Sequence, residues 1–128
     1  MRFAHAEAIK RNTPVEFILD PTTATGRWDV NVVDTIGIVQ TGLFSEAATR
    51  AQFVVVPATA TIVTFNGMGA IVPNADASPT LAEVRISHFG TVSGTRPLWV
   101  LVGGGRSGIK ICDPVPGIPA SSPRFCTT

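Results

Sequence analysis

Pro14 divides this chain into two unlike parts, and that division constrains the fold more than any other feature. Before it, Arg2 to Arg11 are alanine-rich, with no glycine and no β-branched run, so helix propensity is good. Lys10 and Arg11 stand near the end, where the helix dipole favours cations. Asn12, Thr13 and Pro14 stop the helix, because proline disfavours helical geometry in the residue before it. Phe3 with Ala6, and His5 with Ile9, fall at helical spacings, so that stripe is expected to dock on a sheet. A helix this short is marginal alone, and it reads as the end of something longer.

After Pro14 the hydrophobic period changes to two. Val15 to Leu19 reads as a strand, and Asp20 to Gly26 as a turn rich in proline, threonine and glycine. Trp28, Val30 and Val32 alternate with Asp29 and Asn31, as in a strand with one buried face. Ile36 to Gln40 is a further strand candidate, and Ser45 to Arg50 a helical turn capped by Ser45. Gln52 to Val56 and Ile62 to Phe65 follow as strands; Asn66, Gly67, Met68 and Gly69 then signal a tight turn before a return through Ala70 to Val72. Pro73 to Pro79 is loop. Val84, Ile86 and His88 alternate with Arg85 and Ser87. Leu98 to Val102 is apolar throughout, which predicts a central strand covered on both faces. Ile109 to Cys112 is the last strand. One helix followed by about eight short strands predicts an α+β fold, the helix packed on a mainly antiparallel sheet or pair of sheets. No repeat or linker splits the chain, so one domain is expected: residues 1–12 the helix end, 15–112 a β-rich body and 113–128 a tail.

The tail holds the only two cysteines, Cys112 and Cys126. Pro114, Pro116, Pro119 and Pro123 lie between them, so the segment is neither helix nor central strand. An extended loop with a thiol at each end reads most simply as a disulfide-closed terminus. Closing a loop of about 15 residues contributes roughly 3 kcal/mol in the chain-entropy model, and the bond persists only in an oxidising compartment. The competing reading is a pair of free thiols in a cytosolic protein. Residues 1 to 5 carry no signal peptide, so an oxidised domain implies a targeting segment lying upstream of Met1.

Charged residues make up 15% of the chain, below the ~25% of ordinary soluble domains. Ten basic and nine acidic side chains give a net charge of +1, which argues against a broad electrostatic surface for nucleic acid. The longest uncharged run, Ala51 to Ala75, is broken by threonine, proline and glycine and is no membrane span, which needs ~20 mainly apolar residues. Gly103, Gly105 and Gly108 satisfy Gly-x-Gly-x-x-Gly after a strand, but a dinucleotide site needs a helix next. A strand closed by Pro114 follows instead, so a hairpin loop is the better reading. His88 on an alternating strand reads as a structural residue. There is no His-Glu-x-x-His, no pair of Cys-x-x-Cys motifs and no EF-type acidic loop, and the acids form no evident couple; no metal, cofactor or enzyme is expected. Trp28 and Trp99 are expected in the core. Arg96, Arg106, Lys110 and Arg124 give the last third a positive bias, since Asp113 is the only acid after Glu83.

Three phrases, taken together, resemble minor pilins and pseudopilins of the GspH/FimT type. Ala6 to Val15 is similar to the family's Ala/Ser-Glu-Ala-Ile-x-Arg-x-x-x-Val, where a long amino-terminal helix meets the first strand. Ile62 to Gly69 is similar to its hydrophobic-x-Phe-x-x-x-Gly strand and turn. Ile111 to Pro114 with Ser122 to Cys126 resembles the paired-cysteine tail of many such pilins, and Trp28 heads a strand as is usual in the group. The resemblance implies a pilin-like head whose helix continues before Met1 as a membrane-spanning apolar half. It implies a non-enzymatic subunit that primes, or sits at the tip of, a type IV pilus or type II secretion pseudopilus. Its partners are then other pilins and the inner membrane, and the head faces the periplasm or the exterior. FimT pilins, associated with DNA uptake, carry Gly-Arg-x-Arg near the carboxyl end. Gly105, Arg106, Ser107 and Gly108 lack the second arginine, and Arg96, Lys110 and Arg124 are the remaining candidates for duplex DNA. The segments from Asp34 to Ala51 and Pro73 to Thr80 are candidate contacts for an adhesion ligand.

Overall fold

The computed structural model describes residues 1–22, 26–43, 51–88, 94–103 and 108–126. Helix α1 (Arg2–Arg11) precedes β1 (Val15–Asp20), β2 (Arg27–Val32), β3 (Ile38–Leu43), β4 (Ala51–Val56), β5 (Ile62–Phe65), β6 (Ile71–Val72), β7 (Glu83–His88), β8 (Leu98–Val102) and β9 (Ile109–Cys112). The strands form two antiparallel sheets, one in the order β3-β2-β1-β5-β6 and the other β4-β7-β8-β9. The fold is α+β, a short amino-terminal helix packed on antiparallel sheets.

Asn12 ends α1 in the left-handed conformation, with φ of 48°, and donates its N–H to Ile9 O. Asparagine adopts this geometry more readily than most residues, which suits it to the position. The face that docks is shifted from the expected one, although His5 of the expected stripe does reach the first sheet. Ala4, Glu7 and Ala8 are buried, whereas Phe3 and Ile9 are largely exposed. Two alanines at i, i+4 spacing let the helix lie close on β1, β2 and β5, which a stripe built on Phe3 would hold away.

β1 is the middle of the first sheet, and Val15, Phe17 and Leu19 all point inward. Phe17 pairs with Val30 on one side and Val63 on the other, and Val15 with Phe65, so the buried residues form rows beneath α1. His5 meets the Phe65 ring edge-on, with centroids 5.4 Å apart. The turn after β5 passes under the helix, which explains its glycines. A Cβ at Gly67 would lie 2.6 Å from Asn12 Oδ1, and one at Gly69, where φ is 80°, 2.7 Å from His5 Nε2. Beyond it, buried Asn74 ties the Pro73 to Pro79 loop to β5. It accepts from Thr64 Oγ1 at 2.9 Å and donates towards the carbonyls of Ile62, Ser78 and Pro79.

Several expectations shift. The strand placed at Ile36 to Gln40 begins at Ile38 and runs to Leu43, because Asp34 (φ 62°) and Gly37 (φ 132°) keep the preceding residues in a turn. The helical turn expected at Ser45 to Arg50 lies outside the described residues. β8 is central in its sheet but not covered on both faces. Val100 and Val102 pack against the core, while Trp99 and Leu101 point the other way. Trp99 lies instead under the Arg85 guanidinium, 4.5 Å from the ring centroid, so it is not a core residue as expected. A run of apolar residues shows that a strand is present but not how many of its faces are covered.

Cys112 and Cys126 are joined by a disulfide, their Cα atoms 5.1 Å apart. The tail also pairs with the body where Asp113 donates its N–H to Arg124 O, at 2.8 Å, beside a parallel bridge between Asp113 and Phe125. Replacing both cysteines with serine is expected to lower stability by about 2–5 kcal/mol. Urea unfolding of the oxidised protein and of the double variant measures the difference, and coincident curves would contradict it.

Candidate functional site

The two sheets share one core, yet they leave part of the second sheet's inner face open. A cleft of about 310 Å³ lies between Phe17, Leu19 and Trp28 on one side and Val84, Ile86 and Val100 on the other, with Met1 and Arg2 of α1 at its edge. The Phe17 and Trp28 rings stack with centroids 6.1 Å apart. Among the described residues, Arg2 is the only charged side chain lining this cleft.

A second cleft of about 270 Å³ lies where β8 begins and β9 ends, lined by Arg96, Leu98, Ile111, Cys112, Asp113 and Arg124. Ile111 lines both clefts, so the two adjoin along β9. Asp113 is buried and fully engaged. One carboxylate oxygen lies 3.2 Å from Arg96 Nη2, and the other accepts the Val115 N–H at 3.0 Å. Arg96 is thereby anchored across the β8–β9 pair, and the closed tail brings Arg124 beside it.

The four cations grouped by sequence therefore separate. Arg96 and Arg124 share a cleft. Lys110 projects from the opposite face of β9 to Ile109 and Ile111, which both line the first cleft. Arg106 lies outside the described residues. In the sequence Asp113 stands as a lone acid; its place directly after Cys112 and two residues before Val115 is the local signal for the turn it makes.

Glu7 was also missed. It is buried against the first sheet, and its carboxylate accepts from Arg11 Nε at 2.7 Å, with Lys10 Nζ at 3.5 Å. The hydrogen bond from Arg11, joined by the charges of Lys10 and Arg11, holds its pKa below the ordinary carboxylate value and outweighs the upward push of burial. The i, i+4 spacing of Glu7 and Arg11 was legible, since such residues meet on one helix face.

Both cysteines are consumed by the disulfide, and among the described residues no three His, Cys, Asp or Glu side chains could hold a metal ion. β8 and β9, which flank the glycine-rich segment, pair antiparallel, with Gly103 donating its N–H to Gly108 O at 2.7 Å, and a strand rather than a helix follows Gly108. Among the described residues, no helix is long and apolar enough to cross a membrane.

A short helix on one sheet, a second sheet beside it and a tail closed onto an edge strand define the class as a pilin-like head. The model of the family described as type II transport protein GspH matches residues 1–105, from α1 through β8. The chain belongs to the GspH family, the minor pilins and pseudopilins of the GspH/FimT type. Its fold is similar to the crystal structure of the type IV minor pilin FimU of Pseudomonas aeruginosa. That likeness has a TM-score of 0.60 and 19% identity, covering 86% of this chain and 78% of the other. No curated protein matches the chain in sequence.

Replacing Glu7 with glutamine tests the helix ion pair. A carboxyl held below its ordinary range stabilises the fold above that range, and the contribution is lost as pH falls through the folded pKa. The variant is expected to melt lower than the parent near pH 7 and alike well below about pH 4. A pH-independent difference in thermal melts would show that Glu7 acts through packing alone.

Proposed function

We propose that this chain is the head of a minor pilin or pseudopilin that primes, or sits at the tip of, a type IV pilus or type II secretion pseudopilus. The observation that carries the reading is the family match, which begins at α1 and runs through both sheets to residue 105. In this reading α1 is the lower end of a longer helix. That helix holds the subunit in the inner membrane before assembly and packs among the helices of other pilins afterwards. The head is a single domain facing the periplasm or the exterior, and its work is recognition and assembly rather than catalysis.

Deletion of the full-length gene is expected to abolish or sharply reduce filament assembly or secretion, with restoration by the intact gene. Immunogold labelling of an epitope-tagged subunit is expected at filament ends rather than along their length. Normal piliation and secretion in the deletion strain would end the proposal.

A second reading, a receptor for duplex DNA in natural transformation, is favoured by Arg96 and Arg124 lining one cleft. Asp113 counters it by partly neutralising Arg96. A mobility shift with duplex DNA at low salt, weakened by Arg124→Ala and steeply by added salt, supports this reading. No shift at low salt eliminates it.

A further inference from the structure

β9 is an edge strand, and its open side has a defined chemistry. Val102 donates its N–H to Ala82 O at 2.8 Å, so its peptide groups face β7. Peptide groups alternate along a strand; Val100 therefore also faces β7, while Trp99 and Leu101 face β9. In the β8–β9 register, Trp99 with Cys112 and Leu101 with Lys110 are then the hydrogen-bonded pairs. Ile109 and Ile111 turn their N–H and C=O groups outward, and among the described residues no strand meets them.

The next residue in that series shows the edge in use. Asp113 gives its outward N–H to Arg124 O, and the parallel bridge to Phe125 is a strand addition one residue long. The tail stops there. Beneath the remaining edge, Leu98 and Ile111 are 43% and 51% exposed, and Ile111 lines both clefts. An added strand would set alternate side chains onto this floor.

Charge selects among occupants. Arg124 has no acidic partner among the described residues, Arg96 has only buried Asp113, and Lys110 projects from the same edge strand. A second copy of β9 would bring together two edges of the same positive sign, each carrying Lys110 with Arg124 beside it, and lysine on an edge strand discourages such self-pairing. The same cations attract a carboxylate.

We propose that the β9 edge docks an extended segment of a partner protein, a strand of alternating apolar residues with an acidic side chain where it reaches Arg96 and Arg124. The site is defined by sheet geometry and charge, so it stands independently of where the subunit sits in a filament.

The test uses the oxidised, ¹⁵N-labelled chain and short acetylated peptides of alternating valine and threonine with aspartate at either end; matched peptides carry lysine instead. One aspartate peptide is expected to shift the Ile109 and Ile111 amide resonances and slow their exchange with solvent, while the lysine peptides do neither. Arg124→Glu is expected to weaken binding by at least about tenfold, the loss of one charge-assisted hydrogen bond. Ile111→Pro removes an outward N–H without touching the β8 ladder, so it is expected to abolish binding with far-UV circular dichroism unchanged. Ile111→Ala, which keeps that N–H, retains binding. The proposal fails if neither aspartate peptide moves these resonances, if lysine peptides act equally, or if Ile111→Pro binds like the parent. Duplex DNA moving the same resonances while the peptides do not would also overturn it, in favour of a phosphate-binding surface.

Discussion

The close approach of α1 to the first sheet organises the rest of the molecule. Ala4 and Ala8 are wholly buried against β1, β2 and β5, and their small side chains set the distance. A helix of ten residues gains little from its own hydrogen bonds, so its stability comes from this contact. The contact in turn buries Val15 directly after Pro14, which starts β1 in the middle of its sheet. It also dictates the turn beyond β5, where Gly67 and Gly69 leave room for Asn12 and His5. Side chains there would force helix and turn apart.

Two sequence phrases shared with the family acquire physical meaning from this contact. In the first, Ala8 seats the helix on the sheet, and Glu7, on the same buried face, pairs with Arg11 one turn further on. In the second, Phe65 fills the space under His5, and Gly69 takes the left-handed backbone that lets the chain turn back beneath α1. Each is a packing requirement at the junction of helix and sheet. Neither touches chemistry, in keeping with a family whose members assemble.

The other end of the molecule follows a different logic. The second sheet covers less of itself, and its last strand, in which Ile109 and Cys112 are buried, is tied to the tail by a covalent bond and a one-residue bridge. The family match ends before β9 and the tail, so the part of the head with open backbone and unmatched positive charge lies outside the shared pattern. Asp113 joins the two properties. It anchors Arg96, caps the start of the tail through Val115, and passes its own N–H to Arg124.

The residue sequence alone determined the elements, because hydrophobic period, Pro14 and the turn signals act over a few residues. Strand positions were legible almost throughout, with β3 displaced by the left-handed Asp34 and Gly37 that spacing does not reveal. The pairing of Cys112 with Cys126 was legible too, since no other thiols compete. Only the tertiary structure decided which faces are buried. It turned Ala4 and Ala8 inward in place of Phe3 and Ile9, set Trp99 beneath Arg85 instead of in the core, and separated Lys110 from Arg96 and Arg124. Periodicity states that a segment has two faces. What covers each face depends on strand order and register, which are contacts between residues distant in the chain.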